Sequence, residues 1–288
     1  MAGTVQPFVE IEPPPFECGA ATHVGLVRRR NEDNYLVQPD SGIWAVADGM
    51  GGHQDGHIAS KLIVEALQSV GRPNSAADLL TRCEASILSA NSRIRLLATE
   101  RGGHVIGSTV AILLIHERHY ACLWSGDSRI YRVRDGALVQ LSRDHTQVRE
   151  LVESGHLSED EAKKWPGRNV ITRAIGVKEE PELEVQDGPL MPADVFLICS
   201  DGLTDHVPDS DILAQINNHR CQDACDALVQ MTLARGARDN VTVVAVRYAP
   251  LNDPSGDDNV SVRKIESEVE HAAQPIQRTS GRNSQGSC

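Results

Sequence analysis

Four short apolar runs in this chain each end or begin at an aspartate, and no other feature constrains its fold more tightly. Residues 43–47 run into Asp48, and residues 119–124 are followed by Asp127. Residues 194–199 lead to Asp201, and Asp239 precedes the run from Val241 to Tyr248. Runs this short, bounded by Gly, Asp, Asn and Ser, read as buried strands. Three of the aspartates have a glycine neighbour (Gly49, Gly126 and Gly202), so the backbone there can turn sharply and a ligand can approach. Taken singly, each Asp-Gly pair is equally a solvated turn. If the strands share a sheet edge, however, the carboxylates converge, and Glu32 and Asp33 bring the acidic candidates to six. Crowded carboxylates raise one another's pKa, and divalent cations remove that penalty. With no CxxC pair and no paired histidines nearby, all-oxygen ligation favours Mg2+ or Mn2+ over zinc. Two such ions can activate a bridging water and neutralise a phosphoryl group in transfer.

The stretch Gly25-Leu-Val-Arg-Arg-Arg-Asn-Glu-Asp33 places three cations directly against carboxylates. Three arginines in a row usually form a solvated basic face. Here the loop also suits a site that holds a metal and an anion together, since a guanidinium can take two oxygens of one phosphate.

The rest of the pattern alternates helix pairs with strands. Ile58, Leu62, Ile63, Ala66 and Leu67 recur at helical spacing over residues 55–70. Leu80, Cys83, Ile87, Ala90, Ile94 and Leu97 form the apolar stripe of a second helix. Residues 109–115, 119–124, 129–134 and 137–141 read as strands joined so closely that neighbours must be antiparallel, with Asp135-Gly136 as a hairpin turn. Residues 143–180 are polar and irregular, with helical patches at 147–154 and 158–164: an inert excursion or a flap facing substrate. Helices over 209–217 and 222–234 make a second pair. Each helix pair is expected to lie on a sheet.

Composition narrows the function classes. Forty acidic against 28 basic residues give a formal net charge of −12, the wrong sign for a nucleic-acid partner. The longest apolar run, 110–115, is too short to span a bilayer, and the N-terminus has no secretory pattern. Seven cysteines occur without a CxxC pair, and Cys83, Cys122, Cys199, Cys221 and Cys225 fall on apolar faces. They read as buried free thiols, so a soluble, cytoplasmic, monomeric protein is expected, with no membrane partner. Residues 1–20, with Glu12-Pro-Pro-Pro15, are expected to be a flexible arm docked at most through Phe8, Ile11 or Phe16. Residues 21–248 are read as one domain and 249–288 as a disordered tail.

Six segments together carry a resemblance. Arg28-x-x-Asn-Glu-Asp33, Ala47-Asp-Gly-Met-Gly-Gly-His53, Gly107-Ser-Thr109, Ser125-Gly-Asp-Ser-Arg129, Cys199-Ser-Asp-Gly-Leu-Thr-Asp205 and Asp239-Asn-Val-Thr242 occur in this order over residues 21–248. They resemble the motif set of metal-dependent protein serine/threonine phosphatases of the PP2C type, in the bacterial form. The resemblance implies an α+β fold, a four-layer α-β-β-α sandwich of two antiparallel sheets each covered by a helix pair. It implies that Asp48, Asp201 and Asp239 ligate two Mg2+ or Mn2+ ions, with Gly49 offering its carbonyl and Glu32 and Asp33 matching the acidic motif. Asp127 matches a third, weaker metal site, and Arg28 the arginine that grips the substrate phosphate. Residues 143–176 would be the flap. Where eukaryotic relatives place a histidine as general acid, this chain has Met50. His53 follows the glycines and either serves as the acid or packs the turn, and a metal-bound water is the other proton source. The implied partners are phosphorylated proteins and a serine/threonine kinase whose action is reversed. A catalytically silent scaffold module is the alternative reading.

Overall fold

A computed structural model describes residues 15–51, 55–162, 164–167 and 169–249. Eleven strands are described: β1 (Phe16–His23), β2 (Asp33–Gln38), β3 (Ile43–Gly51), β4 (Ile106–Ser108), β5 (Val110–His116), β6 (His119–Ser125), β7 (Arg129–Arg134), β8 (Ala137–Gln140), β9 (Glu184–Pro189), β10 (Val195–Cys199) and β11 (Val241–Tyr248). The helices are α1 (Gly56–Gln68), α2 (Ala76–Glu100), α3 (Gln147–Glu153), α4 (Glu159–Ala162), α5 (Asp201–Thr204), α6 (Asp209–Asn218) and α7 (Cys221–Ala234). One sheet runs β1-β11-β10-β7-β8. The other runs β2-β3-β5-β6-β9, with β4 paired to β3. Every pairing in both is antiparallel.

Side-chain alternation along the central strands builds the four layers. In β3, Ile43, Ala45 and Ala47 join α1 and α2 residues such as Ile63, Leu67, Ile87 and Ile94 in one core. Trp44 and Val46 point the other way, into the space between the sheets, where they meet Phe196, Ile198, Val244 and Val246. In β11, Val241, Val243 and Ala245 face a third core with Ile212, Leu228 and Cys225 of α6 and α7. Strands buried on both faces have no polar side to show, so they appear in sequence as unbroken apolar runs. The expected α-β-β-α sandwich is the observed fold.

Three local expectations change. The chain enters the fold at Phe16, earlier than Ala21, because β1 pairs along its whole length with β11, from Phe16 opposite Tyr248 to His23 opposite Val241. The Phe16 ring packs edge-on against Trp44 at 5.0 Å, which anchors the first residue of the strand. The rest of the arm (except Pro15) and the tail beyond Ala249 lie outside the described residues. Second, β6 and β7 are not neighbours, although only three residues separate them. β6 belongs to the sheet under α1 and α2, and β7 to the opposite one. Gly126, at φ +114°, supports the turn that carries the chain across the sandwich. Third, Asp48 does not hang off a strand end. β3 continues to Gly51, exchanging β5 for β4 as its partner, and Asp48 sits at the exchange. The Asp135-Gly136 hairpin forms as expected, both residues at positive φ. The six described cysteines are free, and Cys83, Cys122, Cys199, Cys221 and Cys225 are buried. No described helix is long and apolar enough to cross a membrane.

Candidate functional site

The two sheets end together on one side of the sandwich, and the acidic candidates gather there. Asp33 opens β2 directly opposite Asp48 in β3. Asp127 lies in the β6–β7 crossover, Asp201 opens α5 just after β10, and Asp239 stands two residues before β11. Asp33, Asp127, Asp201 and Asp239 lie at or beside strand ends of both sheets and Asp48 inside β3, so the cluster exists only once both sheets have formed.

Asp33 is buried, and its Oδ2 accepts hydrogen bonds from Ser200 Oγ (2.8 Å) and Thr242 Oγ1 (2.7 Å), residues of the opposite sheet's edge. Its Oδ1 is buried without a partner, as is Oε1 of Glu32. The Asp48 backbone is fixed on both sides. Its carbonyl accepts from Thr109 N–H (2.8 Å) and Ser108 Oγ (2.9 Å), and its N–H donates to Thr109 Oγ1 (3.2 Å). Gly49 donates its N–H to the Glu32 carbonyl (3.2 Å) and packs so closely on Gly56 that a Cβ would collide with its backbone.

Burial first, and then mutual repulsion, raise the pKa of four of these carboxyls. Loss of surrounding water pushes Asp48 well above the usual carboxylate range, reinforced by Asp33, Asp201, Asp127 and Asp239. Asp201 is raised in the same way, by desolvation and then by Asp127 and Asp239. Burial moves Asp33 up to about 6 against the pull of its two hydroxyl donors, and burial with repulsion from Asp144 moves Asp127 up to about 7. Such a cluster is costly to ionise unless cations share it. Hard oxygen donors, two orphaned carboxylate oxygens and no competing thiol or imidazole cage fit Mg2+ or Mn2+. Among the described residues no three His, Cys, Asp or Glu side chains are gathered closely enough to cage one ion.

Arg28 stands at the rim, half-exposed, with Nη2 on Asp239 Oδ2 at 2.5 Å. Exposed Arg29 continues the loop, and Arg30 Nη1 lies 3.1 Å from the His57 ring nitrogens. A cavity of ≈ 230 Å3 opens beside the acids, lined by Asp127, Asp201 and Asp205 and, from the 143–176 segment, Asp144, Thr146, Arg149 and Asn169. Part of that segment therefore shares a cavity with Asp127 and Asp201. Arg129 closes the far wall through a two-pronged pair with Asp144, Nε to Oδ1 at 2.9 Å and Nη2 to Oδ2 at 2.7 Å. His145 braces the Gly126 turn by accepting its N–H on Nδ1 (3.1 Å), and His206 accepts the Arg238 N–H on Nε2 (3.2 Å). Each thus holds a stretch of local backbone. His53 lies outside the described residues.

Sequence reasoning assigned no role to Ser200, Thr242, Thr109 or Asn240, which hold the acids and the arginine loop in place. Each lies one to three residues from a candidate aspartate or, for Thr109, pairs across from Asp48. The signal was proximity, and only the fold shows what proximity does.

The model of the Protein phosphatase 2C family matches residues 27–242. The serine/threonine protein phosphatase PstP of Mycobacterium tuberculosis is 36% identical over 222 residues, 76% of this chain; the chain spans 42% of that relative's length. A solved structure titled PppA, a key regulatory component of T6SS in Pseudomonas aeruginosa, superposes with a TM-score of 0.75 at 39% identity, covering 81% of this chain and 97% of its own. The catalytic domain of PstP, solved in complex with two manganese ions, superposes with a TM-score of 0.72 at 33% identity, again covering 81% of this chain and 97% of its own. With strand-end carboxylates, arginine loop and sandwich all in place, this chain belongs to the protein phosphatase 2C family.

Proposed function

We propose that the chain is a metal-dependent phosphatase that hydrolyses phosphoserine and phosphothreonine on protein substrates, opposing a serine/threonine kinase. The observation that carries this reading is the convergence of Asp33, Asp48, Asp127 and Asp201 beside the Arg28–Asp239 pair. Asp48, Asp201 and Asp239 would hold two ions with the Gly49 carbonyl, Asp33 and Glu32 would add their free oxygens, and Asp127 would hold a third ion. Bound there, Mg2+ or Mn2+ would neutralise the carboxylates and phosphoryl oxygens and acidify water at neutral pH. Arg28 supplies the organic cation: its forked guanidinium, at the edge of the cleft, is placed to take two phosphate oxygens. The acidic floor repels a bare phosphate, so metal-free protein should bind substrate poorly. The flap residues Thr146, Arg149 and Asn169 would meet the peptide around the phosphorylated side chain. The six described free thiols fit a reducing cytoplasm, where we place the enzyme as a monomer.

His53 is proposed as the acid that protonates the leaving serine or threonine oxygen. His53→Gln would then slow phosphothreonine hydrolysis far more than hydrolysis of p-nitrophenyl phosphate, whose leaving group needs no proton. The test of the whole reading is hydrolysis of a phosphothreonine peptide after chelator treatment, with and without Mn2+. Turnover restored only by metal is expected. A folded, metal-loaded protein that never turns over would overturn the proposal.

A further inference from the structure

We infer that Asn240 is a positioning residue that buckles the Arg28 loop onto the acidic floor and so fixes the guanidinium for phosphate. The inference rests on the proposed function. Residues 24–32 form no helix or strand, and Leu26 to Arg30 are all exposed, so the loop has almost no packing of its own. Its course is set by anchors at its two ends. Asn240 is buried, and its carboxamide reaches both: Oδ1 accepts the Glu32 N–H at 2.8 Å, and Nδ2 donates to the Val24 and Arg30 carbonyls at 2.9 Å each. One N–H faces the oxygen and two carbonyls face the nitrogen, so the partners admit a single orientation of the amide.

The same residue also holds the carboxylate that Arg28 touches. The Asn240 backbone N–H donates to Asp239 Oδ1 at 2.8 Å, leaving Oδ2 to Arg28. Asn240 is itself wedged in place, because Gly202 packs so tightly on its carbonyl that a Cβ would collide there. Further anchors include Leu26 N–H on the Ala237 carbonyl (2.8 Å), the Glu32 carbonyl held by Ser60 Oγ (2.5 Å) and Gly49 N–H (3.2 Å), and Asn31 Nδ2 on Thr22 Oγ1 (2.8 Å). The Asn31–Thr22 bond also joins the two sides of the loop, but it does not touch Asp239. Removing the carboxamide leaves one N–H and two carbonyls without their partner, and the loop frees itself by moving to water.

The experiment compares wild type, Asn240→Ala and the isosteric Asn240→Asp, which turns an acceptor toward two carbonyls. Metal-loaded variants should show KM for a phosphothreonine peptide, and the inhibition constant of inorganic phosphate, raised about tenfold, with a smaller fall in kcat. Mn2+ affinity should change less than phosphate affinity, because Asp239 is held by the Asn240 backbone N–H, which both substitutions keep. In an Arg28→Ala background, Asn240→Ala should add less than about a further twofold, because its effect passes through that arginine. Trypsin should cut after Arg28, Arg29 or Arg30 faster in both variants than in wild type, a readout that needs no turnover. Undiminished effects in the Arg28→Ala background, a matching loss of Mn2+ affinity, or unchanged cleavage would each overturn the inference. If Asn240→Ala fails to fold, Asn240→Asp carries the same comparisons. A wild type inert with metal sinks the proposed function instead, and phosphate titration by calorimetry with the trypsin rates then decides the inference.

Discussion

The floor of the cleft and the flap beside it are both rich in charge, yet they are held by opposite means. The floor is tied by bonds between distant segments. Ser200 and Thr242 reach Asp33 across 167 and 209 residues of chain, and these groups are buried. Beyond its root, where Asp144 pairs with Arg129 and His145 with Gly126, the flap is tied by pairs at its own surface: Arg149 to Glu153 at 3.3 Å and Glu159 at 2.9 Å, and Arg143 to Glu153 at 3.2 Å, all about a third exposed or more. Buried carboxylates repel strongly because little water screens them, and their positions are over-determined by the sheets. Exposed pairs are screened by salt and solvent and hold a segment loosely. A rigid floor with a soft wall suits chemistry whose charged centre must not move while peptides of varied sequence come and go.

The largest break in that comparison should come from neutralising one floor acid. Asp201→Asn is expected to lower kcat/KM on the order of a thousandfold, by removing a proposed metal ligand. It should raise the melting temperature of the metal-free protein, because Asp201 is repelled there by Asp127 and Asp239. Lost turnover together with lost stability would mean the floor is not a strained cluster.

Metal removal gives the next effect, and its sign follows from linkage. Folding raises Asp33 to about 6 and Asp127 to about 7 from an ordinary value of 3.8. Their contribution to stability is therefore complete below pH 4 and is lost as pH rises through 6 and 7. In chelator the melting temperature should fall between pH 5 and pH 8, and Mn2+ should flatten that slope. A flat profile in chelator would contradict the burial of these carboxyls.

Ser200→Ala sharpens the account of how the floor is held. It removes one of two hydroxyls on Asp33 and should lower activity by about ten- to a hundredfold, with metal affinity reduced in step. Arg149→Ala, in the flap, should be the mildest. It should change the melting temperature by less than about 2 °C, and kcat/KM for a peptide a few-fold, an effect that fades in 1 M salt. A large salt-resistant effect would mean that the flap is as firmly built as the floor.

What the sequence could show depended on how local each cause was. Residues 43–47 and the stripe from Cys83 to Ile94 announce their elements because period and burial are written in neighbouring residues. The strand-end aspartates were legible for the same reason: a carboxylate after an apolar run is a local oddity. β1 was read as part of an arm because Cys18-Gly-Ala-Ala21 carries little strand character, and its order comes from β11, whose partner residues lie some 220 positions away. β4, three residues long, forms against Gly49 to Gly51 and, through Ser108, against Ile175. The β6–β7 crossover was hidden because loop length alone does not say which sheet receives the next strand.

The sequence by itself therefore determined which acids follow or precede apolar runs, which runs are buried on both faces, and that two helix pairs flank the strands. Those properties follow from period, composition and spacing within a few residues. Tertiary structure alone decided that Asp33 faces Asp48, that Ser200 and Thr242 reach Asp33, and that Asn240 clasps both ends of the Arg28 loop. Those contacts join segments up to 216 residues apart. Their geometry is fixed by the packing of two sheets, a cooperative property that no short stretch of the chain contains.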